Sequence, residues 1–287
     1  MPGPIFEGSS AMQAPVPAAQ TKSASAPVVL RGDIDGVALL TLNRPQARNT
    51  LSNAMLTALS ESLVAIAGDR KVRAVVIAGN GTAFCAGHDL KEMTEHRRDA
   101  DGGRAYVKDI MDRCSAMMQS IIRLPQPVIA AVAGTATAAG CQLVASCDLA
   151  IASSTARFAT PGVHIGLFCS TPMVALSRSV TRKHAMEMLL TGDMTTADDA
   201  YRMGLVNRVV TPGSERQEAL KLARDIAAKS TLTVKIGKEA FYRQSEMTLA
   251  DAYRYASDVM VENMLKHDAE EGIDAFIEKR EPNWQDR

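Results

Sequence analysis

Several features that mark particular protein classes are scarce or missing in this sequence. Lysine plus arginine equals aspartate plus glutamate, 32 against 32, so no excess of positive charge favours nucleic acid as a partner. No uninterrupted apolar run reaches the roughly 20 residues that a membrane-spanning helix needs. The sequence therefore predicts no nucleic-acid partner and no membrane span.

Cysteine and aromatic residues are also scarce. The five cysteines form no CxxC pair, and no cysteine–histidine pair has the spacing of zinc ligands. We therefore expect reduced thiols that pack in the core, no metal site, and a reducing compartment, namely the cytoplasm or, in a eukaryotic cell, the mitochondrion. Aromatics make up only 4%, so small residues fill the interior and allow backbone segments to approach closely.

The composition changes along the 287 residues and predicts three parts. Residues 1–26 are rich in Pro, Ala, Ser and Gln without periodicity, which predicts a disordered tail. This tail lacks arginine and an apolar block, so it is typical neither of a transit peptide nor of a secretory signal. Alternating strand and helix patterns predict an α/β core over residues 27–210, and residues 211–287 are predicted to form a C-terminal helical module.

Short apolar runs predict strands that are buried on both faces. These runs are residues 37–42, 74–78, 128–132 and 148–152. Helical periodicity follows a predicted cap at Ser52 and recurs between Tyr106 and Leu124. Further predicted helices cover residues 138–146, 172–180, 183–190, 195–203, 215–228 and 249–266.

Residues 82–90 form the first segment that can carry chemistry. The segment follows a buried strand, and Gly87 allows a sharp turn that leaves the amide of His88 pointing outward. A turn without a ligand explains this local pattern equally well. Asp89 and Glu92 begin a helix, where acidic residues are favoured by the helix dipole, so we interpret both as structural.

Residues 133–142 form the second such segment. A run of small residues is predicted to lead directly into a helix, whose first amides carry partial positive charge and suit a developing oxyanion. Small residues are also what tight helix packing requires. The second segment alone is therefore weak support for a ligand site.

Taken together, the two segments resemble the enoyl-CoA hydratase/isomerase (crotonase) family. The resemblance covers nearly everything after residue 28, in the same order. Matching stretches lie at residues 43–45, 83–90, 127–134, 139–143, 147–152, 204–206 and 271–280, with Phe158, Pro161, Gly166 and Leu167 between them.

The resemblance implies a crotonase (ClpP-like) α/β spiral of ββα units, whose C-terminal helical module assembles a homotrimer or a dimer of trimers. It also implies an acyl-CoA thioester as the substrate, with no permanently bound cofactor. The amides of His88 and Ala139 would form the oxyanion hole. The CoA would be bound by Gln46, Ala47, Arg48, Ala83, Phe84 and Ala86, and by Phe276 and Lys279 at a neighbouring subunit.

The sequence departs from the family where a hydratase carries its two catalytic glutamates. Those positions are occupied by Gln142 and Gly162. Hydration needs one group that accepts a proton and another that gives one. Glutamine does neither at neutral pH, although it can orient a water, and glycine has no side chain.

Two other residues are weaker catalytic candidates. Ser170 lies where some family members place an acid, but a serine just before a predicted helix favours a capping role. His164 lies near the second missing glutamate and titrates near neutral pH, yet a surface or packing histidine is the favoured interpretation.

These residues predict an acyl-CoA enzyme that stabilises a thioester oxyanion or enolate, with hydration of 2-enoyl-CoA as the leading reaction. A protein that binds acyl-CoA without reacting it is the second hypothesis. Thioester hydrolysis or double-bond isomerisation, using His164, Ser170 or a bound water, is the third. The sequence leaves the acyl group open.

Overall fold

The computed structural model describes residue 1, residue 3 and residues 26–287. Residues 4–25, the bulk of the predicted disordered tail, lie outside the described residues. The described chain forms two sheets and eleven α-helices.

The first sheet has six strands in the order β1-β2-β3-β5-β7-β10. Strands β2, β3, β5, β7 and β10 run parallel, and β1 is antiparallel at the edge. The long apolar runs of the sequence form its centre. The strands are β1 (Val29–Ile34), β2 (Val37–Leu42), β3 (Ala74–Gly79), β5 (Val128–Val132), β7 (Leu149–Ser153) and β10 (Arg208–Val210).

The second sheet is smaller and has the order β4-β6-β8-β9. Its strands are β4 (Ala83–Cys85), β6 (Thr135–Thr137), β8 (Arg157–Ala159) and β9 (Thr195–Thr196). Strands β3, β5 and β7 of the first sheet are each followed at once by a strand of the second. This alternation, closed by helices, confirms the predicted spiral of ββα units.

The helices are α1 (Asn53–Ala67), α2 (Leu90–Glu95), α3 (Arg104–Arg123), α4 (Ala139–Ser146), α5 (Ser170–Ser179), α6 (Arg182–Thr191), α7 (Ala197–Met203), α8 (Glu215–Ala227), α9 (Thr231–Gln244), α10 (Leu249–Met264) and α11 (His267–Glu278). The predicted cap of α1 is confirmed, because Ser52 accepts a hydrogen bond from the amide of Met55. Among the described helices, none is long and apolar enough to cross a membrane.

Alternating side chains of β3 divide the interior into two cores. Val75 and Ile77 belong to the larger core, with buried side chains of α1 and α3. Val76 faces the opposite side, where α8 packs on the sheet through a stripe of alanines at every fourth position: Ala219, Ala223 and Ala227. Helix α8 of the predicted C-terminal module therefore covers a face of the first sheet. The boundary at residue 210 stays a prediction.

Three parts of the secondary-structure prediction are wrong. The predicted helix 195–203 starts only at Ala197, because Thr195–Thr196 pair with β8 as β9. Residues 133–142 do not lead directly into a helix, because Thr135–Thr137 first pair as β6 between β4 and β8. Helix α5 begins at Ser170 itself and not at residue 172, and the residue at its cap position, Cys169, makes no side-chain capping bond. The predicted capping role of Ser170 is therefore wrong.

A buried ion pair fastens α9 to the core. The Nζ of Lys238 donates to Asp148 at 2.7 Å and to the carbonyl oxygens of Ile121 and Gln126, each at 3.0 Å. The hydroxyl of Tyr242 donates to the other carboxylate oxygen of Asp148 at 2.9 Å. Burial lowers the pKa of Lys238 and the nearby Asp148 charge partly restores it. The Lys238 side chain is only 7% exposed, so each of its three hydrogen bonds to the protein replaces a hydrogen bond to water.

We predict that Lys238→Ala lowers the free energy of unfolding by about 3–5 kcal/mol, because it leaves the Asp148 carboxylate, which is only 15% exposed, without its cationic partner. Urea unfolding followed by circular dichroism measures the change. Lys235→Ala is the matched control, since Lys235 is exposed on the same helix. Equal losses in the two variants would contradict the prediction.

Candidate active site

The two segments that the sequence singles out become neighbouring strands. Strands β4 and β6 pair in parallel, with Ala83 opposite Thr135 and Cys85 opposite Ala136. Two glycines of the second segment permit its backbone to approach that of the first segment closely. A Cβ atom on Gly134 would lie 2.1 Å from the carbonyl oxygen of Thr82, and one on Gly140 would lie 2.0 Å from that of Cys85.

The ends of the two segments meet at Gly87 and Ala138. Gly87 has φ +93°, and a Cβ atom there would lie 2.9 Å from the Cβ of Ala138 and 3.4 Å from the amide nitrogen of Ala139. Ala138 has φ 50° and ψ −119°, a conformation that costs a residue with a Cβ about 1–3 kcal/mol. Its own amide is fixed by a 2.9 Å hydrogen bond to the carbonyl oxygen of Ala159 in β8.

Two backbone amides remain free beside this contact. Within the part of the chain that the structure describes, the N–H groups of His88 and Ala139 donate no hydrogen bond to a protein atom. Ala139 is the first residue of α4, so its amide also carries the partial positive charge of a helix start. The structure thus places both predicted oxyanion-hole residues on adjacent segments; their role stays a prediction.

The side chain of His88 is held as a neutral imidazole. Its Nε2 is buried without a hydrogen-bond partner among the described residues. Burial lowers the pKa of His88 from 6.5 to about 4. Near pH 7 this ring can accept or donate a hydrogen bond, but it carries no charge.

Gln142 lies one turn after Ala139 in α4. Its backbone amide donates to the carbonyl oxygen of Ala138, and the residue is 5% exposed. The side-chain Oε1 has no partner among the described residues. A buried polar atom without a partner is costly, so this end of Gln142 is suited to bond a ligand or a water.

At the position of the second expected glutamate, the protein's own atoms fill the space that a side chain would need. A Cβ atom on the buried Gly162 would lie 2.7 Å from the carbonyl oxygen of Leu167 and 2.9 Å from the Sγ of Cys169. The amide of Leu167 also donates to the carbonyl oxygen of Gly162 at 2.9 Å. The chain therefore folds back over Gly162 and occupies the space next to it.

The two weaker candidates lie on the surface. The ring of His164 is exposed, and its Nε2 is 2.8 Å from the carbonyl oxygen of Thr191 in α6. Ser170 is exposed, and its hydroxyl donates to the carbonyl oxygen of Phe168 at 3.3 Å. Both side chains bond to nearby backbone, which favours a surface role for His164 and gives Ser170 a structural contact other than the predicted cap.

The thiols near the site are not activated. Burial raises the pKa of Cys85 and of Cys141 to about 12, so both are protonated at neutral pH. Burial also raises the pKa of Cys169, although the amide of Gly162 partly opposes this. Within residues 26–287, no group of three or more His, Cys, Asp and Glu side chains could hold a metal ion.

The predicted CoA-binding residues fall into two groups. Gln46 and Arg48 are exposed and Ala47 lies between them, and the carbonyl oxygen of Arg48 accepts a 3.1 Å hydrogen bond from the amide of Ala86. Ala83 is buried, and Phe84 is a core side chain with no exposed surface, so only its backbone can border a ligand.

Phe276 and Lys279 form the other group. Phe276 is 86% exposed in the last turn of α11, and Lys279 follows that helix in a left-handed conformation. Helix α11 packs against α9 and α10. These two residues therefore present themselves to solvent at the C-terminal helices.

An ion pair supports the turn at His88. Arg44 donates to the carboxylate of Asp89 at 3.2 Å, and so does the hydroxyl of Thr50 at the same distance. Burial would raise the pKa of Asp89, but the hydrogen bonds from Arg44 and from the amides of Lys91 and Glu92 outweigh it and lower that pKa. Asp89 also caps α2, which agrees with its interpretation as structural.

Comparison with known proteins decides the family. The sequence profile that describes the enoyl-CoA hydratase/isomerase family matches residues 33–287 of this chain. The chain belongs to this family. One relative is the Xenopus laevis protein named "enoyl-CoA hydratase domain-containing protein 3, mitochondrial". The two sequences are 47% identical over 249 residues, and this match covers 87% of this chain and 83% of the relative. The human protein of the same name is 44% identical over 270 residues, 94% of this chain and 87% of the relative.

Solved structures of the same family share the fold. The enoyl-CoA hydratase of Mycobacterium smegmatis is 54% identical with a TM-score of 0.85, and the match covers 90% of this chain and 99% of that one. Human enoyl-CoA hydratase domain-containing protein 3 is 45% identical, also with a TM-score of 0.85, over 90% of this chain and all of that one. The names of the first two relatives include the word mitochondrial, and the cytoplasmic location expected for this chain stays a prediction.

We predict that His88 makes stability depend on pH between 4 and 6.5. In this window the unfolded chain binds a proton at the histidine and the folded chain does not, so the free energy of unfolding rises with pH, by up to about 3 kcal/mol. Urea unfolding across the window measures the slope. His88→Gln removes this contribution, whereas His164→Gln, which changes an exposed histidine, keeps it. An unchanged slope in His88→Gln would refute the prediction.

Proposed function

We propose that this chain is an acyl-CoA enzyme that polarises the thioester carbonyl of its substrate with the backbone amides of His88 and Ala139. The observation that supports this most strongly is the pair of free N–H groups on two segments that approach each other closely at Gly87 and Ala138. Preorganised amides act most strongly where charge develops on an oxygen. Attack on an enoyl thioester, or formation of its enolate, develops such charge.

Hydration of a 2-enoyl-CoA is the leading reaction. Water adds across the double bond, so that the hydroxyl joins the β-carbon and a proton joins the α-carbon. Gln142 would orient the water through its unpartnered side-chain oxygen. A glutamine cannot exchange the proton itself, so the proton would move through water.

Binding of an acyl-CoA without reaction is the second candidate. Its support is the space beside Gly162, which is filled by the Leu167 carbonyl and the Cys169 thiol. No acid stands at that position or at Gln142. The free amides alone would then hold the thioester.

We also propose that the chain assembles as a homotrimer or a dimer of trimers through its C-terminal helices, with Phe276 and Lys279 reaching the CoA of a neighbouring subunit. Large apolar side chains on these helices are exposed in the single chain, among them Leu249, Met264, Phe276 and Ile277. Light scattering measures the outcome: we expect three or six times 30.7 kDa. A monomer in solution would contradict this proposal.

We predict that binding shifts the absorption of a chromophoric cinnamoyl-CoA thioester to longer wavelength, and that Ala139→Pro reduces the shift. Proline removes the N–H and suits the first residue of a helix, and circular dichroism establishes that the variant folds despite the left-handed φ of the preceding Ala138. Spectra at saturating protein compare the bound states. Leu249→Pro changes the first residue of α10 and serves as the control. A full shift in Ala139→Pro would contradict the assignment of that amide.

We further predict that purified protein at high concentration hydrates crotonyl-CoA or longer 2-enoyl-CoAs, and that Gln142→Ala slows this by about tenfold or more because the water loses its orientation. Loss of absorbance of the conjugated enoyl thioester follows the reaction. Turnover no faster than in Gln142→Ala would reject hydration. Release of free CoA would assign thioester hydrolysis, product analysis would reveal isomerisation, and binding without turnover would support the second candidate.

A further inference from the structure

Asn49 is a polar side chain in the interior that sequence reasoning did not single out. It is completely buried, and its backbone has φ 54°, a left-handed conformation that asparagine tolerates better than most residues. Arg48 before it is left-handed as well, at φ 50°. The loop that carries the predicted CoA-binding residues 46–48 therefore ends in two consecutive left-handed residues.

The Asn49 side chain joins this loop to the first active-site segment. Its Oδ1 accepts a hydrogen bond from the amide of Arg44 at 2.8 Å, which closes the loop on itself. Its Nδ2 donates to the carbonyl oxygens of Asn80 at 2.9 Å and Ala83 at 2.8 Å. These three bonds use the oxygen and both N–H groups of the amide.

Backbone hydrogen bonds between the same loop and the same segment continue as far as His88. The amide of Ala86 donates to Arg48, that of Leu51 donates to Gly87 at 2.8 Å, and that of Asp89 donates to Leu51 at 3.3 Å. Leu51 and His88 thus form a parallel bridge. Residues 48–51 run directly beside residues 86–89 and fix the turn that carries the free His88 amide.

We propose that Asn49 is a positioning residue that holds the loop 46–48 and the His88 amide in one rigid unit. The inference rests on the proposed function. If the loop binds the nucleotide end of CoA and the amide binds the thioester oxygen, then Asn49 fixes the spacing between the two. Without its side chain, the Arg44 amide and the carbonyl oxygens of Asn80 and Ala83 lose their partners, and the turn at Gly87 loses its support.

The test uses the bound spectrum of cinnamoyl-CoA at saturation, because the band position then reports carbonyl polarisation and not affinity. Asn49→Gly keeps the left-handed backbone accessible but removes the side-chain bonds. Asn49→Asp keeps the acceptor for Arg44 but places a carboxylate against two carbonyl oxygens. We expect both variants to lose about half or more of the wild-type shift, since even small displacements in an active site are costly.

Asn43→Ala is the matched control. Asn43 accepts a 3.0 Å hydrogen bond from the side chain of the same Asn80 but does not bond to the segment that carries His88. A purely stabilising role for Asn49 would lower the melting temperature and leave the saturated band in place. A wild-type band position in either Asn49 variant, or an equal loss in Asn43→Ala, would overturn the inference. No shift in the wild-type protein would instead reject the proposed function.

Amide hydrogen exchange of the wild-type protein gives an independent test if the Asn49 variants do not fold. We expect residues 44–51 and 82–89 to gain protection together when cinnamoyl-CoA binds, because they form one unit. Protection of one stretch without the other would overturn the inference.

Discussion

Two backbone segments approach each other closely at the centre of the candidate site: β4 with its following turn, and β6 with the start of α4. Two carbonyl oxygens, of Thr82 and Cys85, lie where Gly134 and Gly140 would otherwise carry a Cβ atom. Only backbones without side chains between them can bring two free amides to one place. The spiral supplies this contact by sending one strand into the large sheet and the next into the small one. The scarcity of aromatics fits the same requirement.

The central strands and the family could be predicted because their signals are strong. Four apolar runs are long enough to identify β2, β3, β5 and β7, and Ser52 stands where a helix cap belongs. Strands β4, β6 and β8 have only three residues each, which is too few for a period of two to be recognised. Their existence depends on pairing between distant segments, as at Thr135–Thr137.

The backbone turns and close contacts of the candidate site could be predicted from the sequence, but the side chains that support them could not. Glycines at positions 87 and 140 indicate turns and close contacts from the sequence alone. The role proposed for Asn49 rests on its complete burial and on its hydrogen bonds to Arg44, Asn80 and Ala83. A single sequence does not indicate either feature. The cap assigned to Ser170 failed because α5 starts earlier than its proline suggests. The neutral state of His88 likewise follows from burial and not from the motif.

The closed loop over Gly162 limits which side chains this position can carry. A glutamate at that position would meet the carbonyl oxygen of Leu167 and the thiol of Cys169 already at its Cβ atom. Backbone cannot yield as a flexible side chain does, so a side chain at this position requires the path of residues 162–169 to change as well. A single Gly162→Glu substitution would therefore disturb the fold of this loop before it could supply a second acid to the site.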